Sequence, residues 1–225
     1  MSSYAKRMLG VVLVALAFAG GIAVYAVRYL ANVPRSTAAT QTSSGTHLYL
    51  ATVASAEASD PQPTWVSYYT VNSRSRDWRH NTTFTLPAHS LVHVTVFQYD
   101  GASGLRNPFI AQATGVIGGK FLLDGKPTQT IDPDDASHVF AIPQLGVSVP
   151  LKGVADDAKN QCPAPAPNTG CTLSNAHTTT SFTFRTAGKG LYRWQCFVPC
   201  AAGYIEAFGG PMQTVGYMDG FIKVV

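Results

Sequence analysis

The chain has 225 residues, 46% of them hydrophobic and only 12% charged, which is long enough for one or two domains and too apolar for a disordered chain. Its formal charge of +4 is accounted for by Lys6, Arg7, Arg28 and Arg35, and no basic stripe with interleaved aromatics offers itself to nucleic acid. No nucleophile stands with a base and an orienting group, and no glycine-rich phosphate loop opens a helix, so hydrolysis and phosphoryl transfer find no support.

The first expected element is a helix. Lys6 and Arg7 precede an uncharged stretch of 20 residues over 8–27, which Arg28 closes. That length matches the ~30 Å hydrocarbon core of a bilayer, whereas the apolar part of a cleaved signal runs to ~7–15 residues. Residues 1–30 therefore read as an uncleaved membrane anchor, 31–46 as a flexible tether rich in Ala, Ser and Thr, and 47–225 as one domain. Flanking charges do not orient the anchor, because two basic residues lie on each side. Cys162 and Cys171 do orient it. They bracket a Pro-rich loop, and a disulfide closing such a loop forms only in an oxidising compartment. The expectation is a single-pass protein of the cell membrane whose C-terminal domain lies outside the cytoplasm.

Beyond the tether, short β-branched and aromatic runs alternate with Gly, Pro, Asn and Asp, and no 3.6-residue stripe recurs. Strands are expected over 47–53, 64–72, 81–86, 91–99, 115–123, 137–142, 179–185, 190–196 and 220–225, which argues for an all-β sandwich or barrel. Thr186-Ala187-Gly188-Lys189-Gly190 reads as a hairpin turn between 179–185 and 190–196. Centred near Gly188, that hairpin would place Cys196 across from about Thr180 and bring His177 beside Pro199 and Cys200. A slip of one residue would reverse the facing of every side chain.

The chemistry concentrates in Arg193-Trp194-Gln195-Cys196-Phe197-Val198-Pro199-Cys200, with Met212 and Met218 behind it. Soft thiolate and thioether donors favour copper, particularly Cu(I), while imidazole also suits the oxidised ion. Zinc more often takes four Cys or His ligands, with Cys-x-x-Cys the commoner spacing. Cys196 and Cys200 read as a thiolate pair, as one thiolate with a bystander, as a second disulfide, or as free thiols. His138 lies in an apolar run and reads either as a ligand or as a satisfied core side chain. Met212 and Met218 read as thioether donors or as core fillers, and His177 as a stand-in imidazole. His47, His80, His89 and His93 carry no metal-binding spacing along the chain.

Ser137-His138-Val139-Phe140-Ala141-Ile142-Pro143, Gly190-Leu191-Tyr192-Arg193-Trp194-Gln195-Cys196 and Met218-Asp219-Gly220-Phe221-Ile222-Lys223-Val224 occur in an order that resembles the cupredoxins. The similarity is greatest to the dinuclear copper domain of heme-copper oxidase subunit II. In that family Cys-x-x-x-Cys is followed by a His four residues on and a Met three beyond it. The resemblance implies a Greek-key cupredoxin-like domain, a copper cofactor, ligands at His138, Cys196, Cys200 and Met218, and electron transfer to a redox partner protein or to oxidase subunits. It also exposes a departure. Four residues after Cys200 stands Tyr204, three before Met218 stands Val215, and 17 residues separate Cys200 from Met218. The second family His is missing, so with Met218 or Met212 as the thioether either Cys200 or His177 completes the shell, or the domain is a metal-free structural or partner-binding subunit with Cys196 and Cys200 oxidised.

Overall fold

The computed structural model describes residues 2–25, 36–43, 45–54, 65–72, 78–162, 172–200 and 210–225. Two compact units divide the chain at Pro34 and Arg35. The first contains helix α1, Ser3–Tyr25, whose 23 residues bury none of their side chains. At 1.5 Å per residue it is about 35 Å long. It is long and apolar enough to cross a membrane.

The second unit is a two-sheet β-sandwich. Its strands, in chain order, are β1 (Thr37–Ala38), β2 (Thr40–Thr42), β3 (Gly45–Val53), β4 (Ser67–Val71), β5 (Trp78–Arg79), β6 (Thr83–Leu86), β7 (Leu91–Gln98), β8 (Phe121–Leu123), β9 (Lys126–Thr128), β10 (Ala136–Ile142), β11 (Val147–Lys152), β12 (Thr178–Arg185), β13 (Gly190–Gln195) and β14 (Asp219–Val224). One sheet runs β1-β6-β14-β13-β10-β11, and the other β5-β4-β3-β7-β12-β8-β9 with β2 against β3. Most neighbours are antiparallel, while β3 with β7, β14 with β6 and β1 with β6 are parallel. Strands that alternate buried and half-buried residues, such as β7 and β12, turn one face to the core.

Several expectations change here. Residues 37–42, read as tether, join the sheets as β1 and β2. The stretch 115–123 is a strand only from Phe121, because Gly115, Gly118 and Gly119 all take positive φ and turn the chain before it. β11 was not among the expected strands, and it carries a proline in Val147-Ser148-Val149-Pro150. It is the edge strand beside β10, with only the bridge from Ser148 to Thr114 on its other side, and the missing N–H of Pro150 costs no central ladder bond.

The hairpin between β12 and β13 does not form. β12 pairs with β7 from Thr178↔Gln98 to Arg185↔Leu91, and β13 pairs with β14 in the opposite sheet. Both strands carry large inward aromatics, Phe182 and Phe184 on one and Trp194 on the other, and each set fills the core from its own side. The crossing is pinned by Thr186, whose hydroxyl donates to the Pro87 carbonyl at 2.7 Å and accepts from the Ser90 N–H at 2.9 Å.

Trp194 is the centre of the core. Its ring lies 4.7 Å from Tyr68, 5.2 Å from Phe140 and 5.5 Å from Phe84, and its Nε1–H donates to the Thr82 carbonyl at 2.8 Å. The same carbonyl accepts from the Phe221 N–H. Gly220 makes this approach possible, because a β carbon there would stand 1.9 Å from the Thr82 oxygen. Gly220→Ala should therefore force β6 and β14 apart and cost about 3 kcal/mol or more, read as a lowered denaturation midpoint. An unchanged midpoint would contradict this packing.

Candidate metal centre

β10 and β13 meet at a single register position, Ala141↔Gln195, and run antiparallel. The chain leaving β13 at Cys196 is thereby carried back along β10 toward His138. β10 is irregular between Ala136 and His138, where Ser137 is bulged out of the ladder with β11. A bulge of this kind re-aims the next side chain. Ser137 is held in place by the Gln98 amide, which donates to its hydroxyl at 2.6 Å.

Three buried donors converge. His138 Nδ1 lies 3.2 Å from Cys200 Sγ and 3.9 Å from Cys196 Sγ, and the two sulfurs are 3.3 Å apart. All three donor atoms lie within 4.8 Å of one another. Cys196 and Cys200 are free thiols, well beyond the ~2.05 Å of a disulfide bond. Around them, the Val139 N–H donates to Cys196 Sγ at 3.4 Å, and Cys200 Sγ–H is directed to the Val198 carbonyl at 2.9 Å.

Asp100 stands behind His138, its Oδ2 3.0 Å from Nε2. An ionised carboxylate can only accept, so Nε2 carries the hydrogen and Nδ1 presents its lone pair to the sulfurs in the neutral ring. A carboxylate in this position fixes the tautomer and orientation of a metal-binding imidazole and raises its basicity. Nothing in the sequence marked Asp100 beyond an Asp-Gly turn signal at the end of β7. Only the fold shows that this turn lies against β10.

The electrostatics follow from burial and pairing. Burial alone would lower the His138 pKa, but hydrogen bonds to Asp100 and Cys196 and their charges push it up to about 9. Burial raises Asp100, and the contact with His138 together with the Gly101 N–H holds it below its usual value. For Cys196, burial opposes ionisation, yet hydrogen bonds from Cys200 and His138 carry its pKa well below that of an ordinary thiol. Cys200, hydrogen-bonded to that thiolate and buried, is pushed far upward. The arrangement is a thiolate and imidazolium pair with a neutral thiol beside it.

The two methionines arrive from the chain beyond Gly210. Met212 Sδ accepts the Cys200 N–H at 3.3 Å. Met218 is fully buried, and its carbonyl accepts the Cys196 N–H at 2.9 Å. Next to it Asp219, also fully buried, takes a two-pronged contact from Arg193, with Nε to Oδ1 at 2.9 Å. His177 is not brought to this cluster. Its Nδ1–H donates to the Asn175 carbonyl at 2.7 Å and its ring packs against Phe97 and Tyr99, a consequence of β12 and β13 belonging to different sheets. Tyr204 lies outside the described residues, as does Cys171.

No protein-family model matches the sequence, and no curated protein matches it. Among solved structures the chain is similar to the copper protein rusticyanin, at 17% identity over 84% of this chain and 82% of that one, with a TM-score of 0.34. Rusticyanin from Thiobacillus ferrooxidans aligns at 18% identity over 86% of each chain, TM-score 0.35. A chain of a heme-copper terminal oxidase dimer aligns at 12% identity over 99% of each, TM-score 0.32. The domain is an all-β, two-sheet sandwich. What its cluster binds is decided by the donors themselves.

Two thiols and an imidazole, buried and braced by Asp100, form a donor set suited to copper. Ligands must shed their protons before they bind, so the affinity depends on pH with a calculable sign. Below about pH 9, His138 is protonated and releases one proton, so affinity should rise about tenfold per pH unit. If Cys200 also binds as thiolate, the rise becomes about a hundredfold per unit. Competition with a chelator at several pH values reads the slope directly, and a flat profile would contradict the protonation states above. Asp100→Ala should weaken copper binding by about 10–100-fold in the same assay.

Proposed function

We propose that this chain is a membrane-anchored, copper-binding electron-transfer protein with its domain outside the cytoplasm, and a component resembling subunit II of a heme-copper oxidase. The observation that carries the reading is the convergence of His138, Cys196 and Cys200 into one buried donor cluster. Cys196 offers a thiolate, His138 an imidazole nitrogen oriented by Asp100, and Cys200 a second sulfur, with the thioether of Met212 or Met218 beside them. Bound there, copper supplies a one-electron couple. The protein's part is to hold His138 on β10 and the two cysteines on the segment that leaves the paired strand β13, so that neither oxidation state demands a large rearrangement. Trp194 and Phe140 keep water from the inner side. Phe197, directly after Cys196, is 46% exposed and offers an apolar approach for a redox partner protein or for oxidase subunits.

The outward orientation is supported by the expected Cys162–Cys171 bridge, and the anchor by the length and hydropathy of α1. A metal-free reading with Cys196 and Cys200 joined is disfavoured by their being free thiols. The test is to purify the full chain in detergent, load it with copper, and measure bound metal, the visible spectrum and thiol content. A thiolate-to-copper charge-transfer band should appear and vanish in Cys196→Ser. Protein whose thiols titrate as reduced yet takes up no copper would sink the proposal. His177→Ala should leave the band and the affinity unchanged.

A further inference from the structure

A second pair of imidazoles sits away from the buried cluster, on the outer face of the other sheet. His47 on β3 and His93 on β7 are direct partners in the parallel ladder although 46 positions apart in sequence order. Their ring centroids are 4.9 Å apart with planes inclined by 27°. Both rings line an open groove of about 360 Å³, together with Tyr49, Lys120, Ser181 and Thr183. His93 is oriented, its Nδ1 lying 2.9 Å from the Thr183 hydroxyl. That contact leaves Nε2 as the ring's other donor atom, and Nε2 faces Gly45. A β carbon at Gly45 would stand 3.4 Å from it, so glycine keeps this edge of the ring uncovered.

We infer that His47 and His93 form a surface site for a divalent transition-metal ion, with Cu(II) bound ahead of Zn(II). Two imidazoles with water completing the shell suit these borderline ions, and among the divalent metals Cu(II) binds nitrogen donors most tightly. Metal-to-imidazole distances of about 2.0–2.1 Å require the two nitrogens to converge. With His93 held by Thr183, the His47 ring reaches that arrangement by rotation about χ2, a broad and soft torsion in histidine. Burial, and then the proximity of His93, hold the His47 pKa below its usual value, which favours the neutral ring at neutral pH. Binding takes place without change of oxidation state, releasing water from the ion. Lys120 is the groove's cation, and its charge opposes a metal while favouring an anion.

The site is independent of the buried centre and is tested without it. The full chain carrying Cys196→Ser and Cys200→Ser, with no histidine tag, is titrated with Cu(II) alone and followed by calorimetry and by electron paramagnetic resonance. One equivalent should bind with a signature of two nitrogen ligands. His47→Ala and His93→Gln should each weaken binding by about tenfold or more. Lys120→Ala should leave it unchanged or strengthen it. If the cysteine variant does not fold, the wild-type chain is titrated instead, and the second equivalent of Cu(II) should disappear in His93→Gln while the charge-transfer band of the first persists. Equal affinity with and without His47 and His93 would overturn the inference. So would a groove that binds inorganic phosphate through Lys120 and takes up no Cu(II).

Discussion

The carboxylate of Asp100 holding Nε2–H of His138 is the contact on which the rest of the site depends. It couples the end of β7 in one sheet to the start of β10 in the other. It decides which imidazole nitrogen is left for the sulfurs, and it compensates a ring that burial would otherwise keep neutral. Without that carboxylate, the Nε2–H of a buried imidazole would lose its partner in a low-dielectric core, which costs several kcal/mol unless satisfied. With it, proton and charge are shared along Asp100, His138 and Cys196, and the cluster is a preorganised donor set.

That contact is kept in register by packing rather than by local sequence. Trp194 locks β13 to the opposite sheet through Tyr68, to neighbouring β10 through Phe140 and to β6 through the Thr82 carbonyl. The close approach at Gly220 lets β14 lie flat between β6 and β13, and β14 begins directly after Met218. Cys196 and Met218 are thus delivered by neighbouring strands whose spacing is set by one ring and one missing side chain. The Arg193 and Asp219 pair braces the same place. Asp219 is fully buried, and removing its guanidinium partner would leave an uncompensated charge beside the methionine.

The legible part of the fold was the part written in short-range pattern. The strands expected over 91–99 and 179–185, and the uncharged run near the N-terminus, correspond to β7, β12 and α1 with small differences at the ends. β11 was hidden because its proline is harmless only at an edge, and edge position is a property of the sheet order. The strand expected from 115 was shortened by three glycines whose positive φ values were not implied by their spacing. The hairpin between β12 and β13 failed for a related reason. A glycine-containing turn joins adjacent strands of one sheet or crosses between two, and the choice belongs to the aromatics on either side.

By itself the sequence determined the donor types at the centre, Cys196, Cys200 and His138, and the absence of a second imidazole at the family's spacing, because identity and spacing are local properties. It also determined a β domain following an apolar helix, since hydropathy and period are read along the chain. Only the tertiary structure decided that Asp100 joins the centre, that Met212 reaches Cys200, that His177 is turned away against Phe97 and Tyr99, and that His47 meets His93. Each of these is a contact between residues distant in the chain. Such contacts depend on which sheet a strand enters and on a register in which a shift of one residue exchanges the two faces.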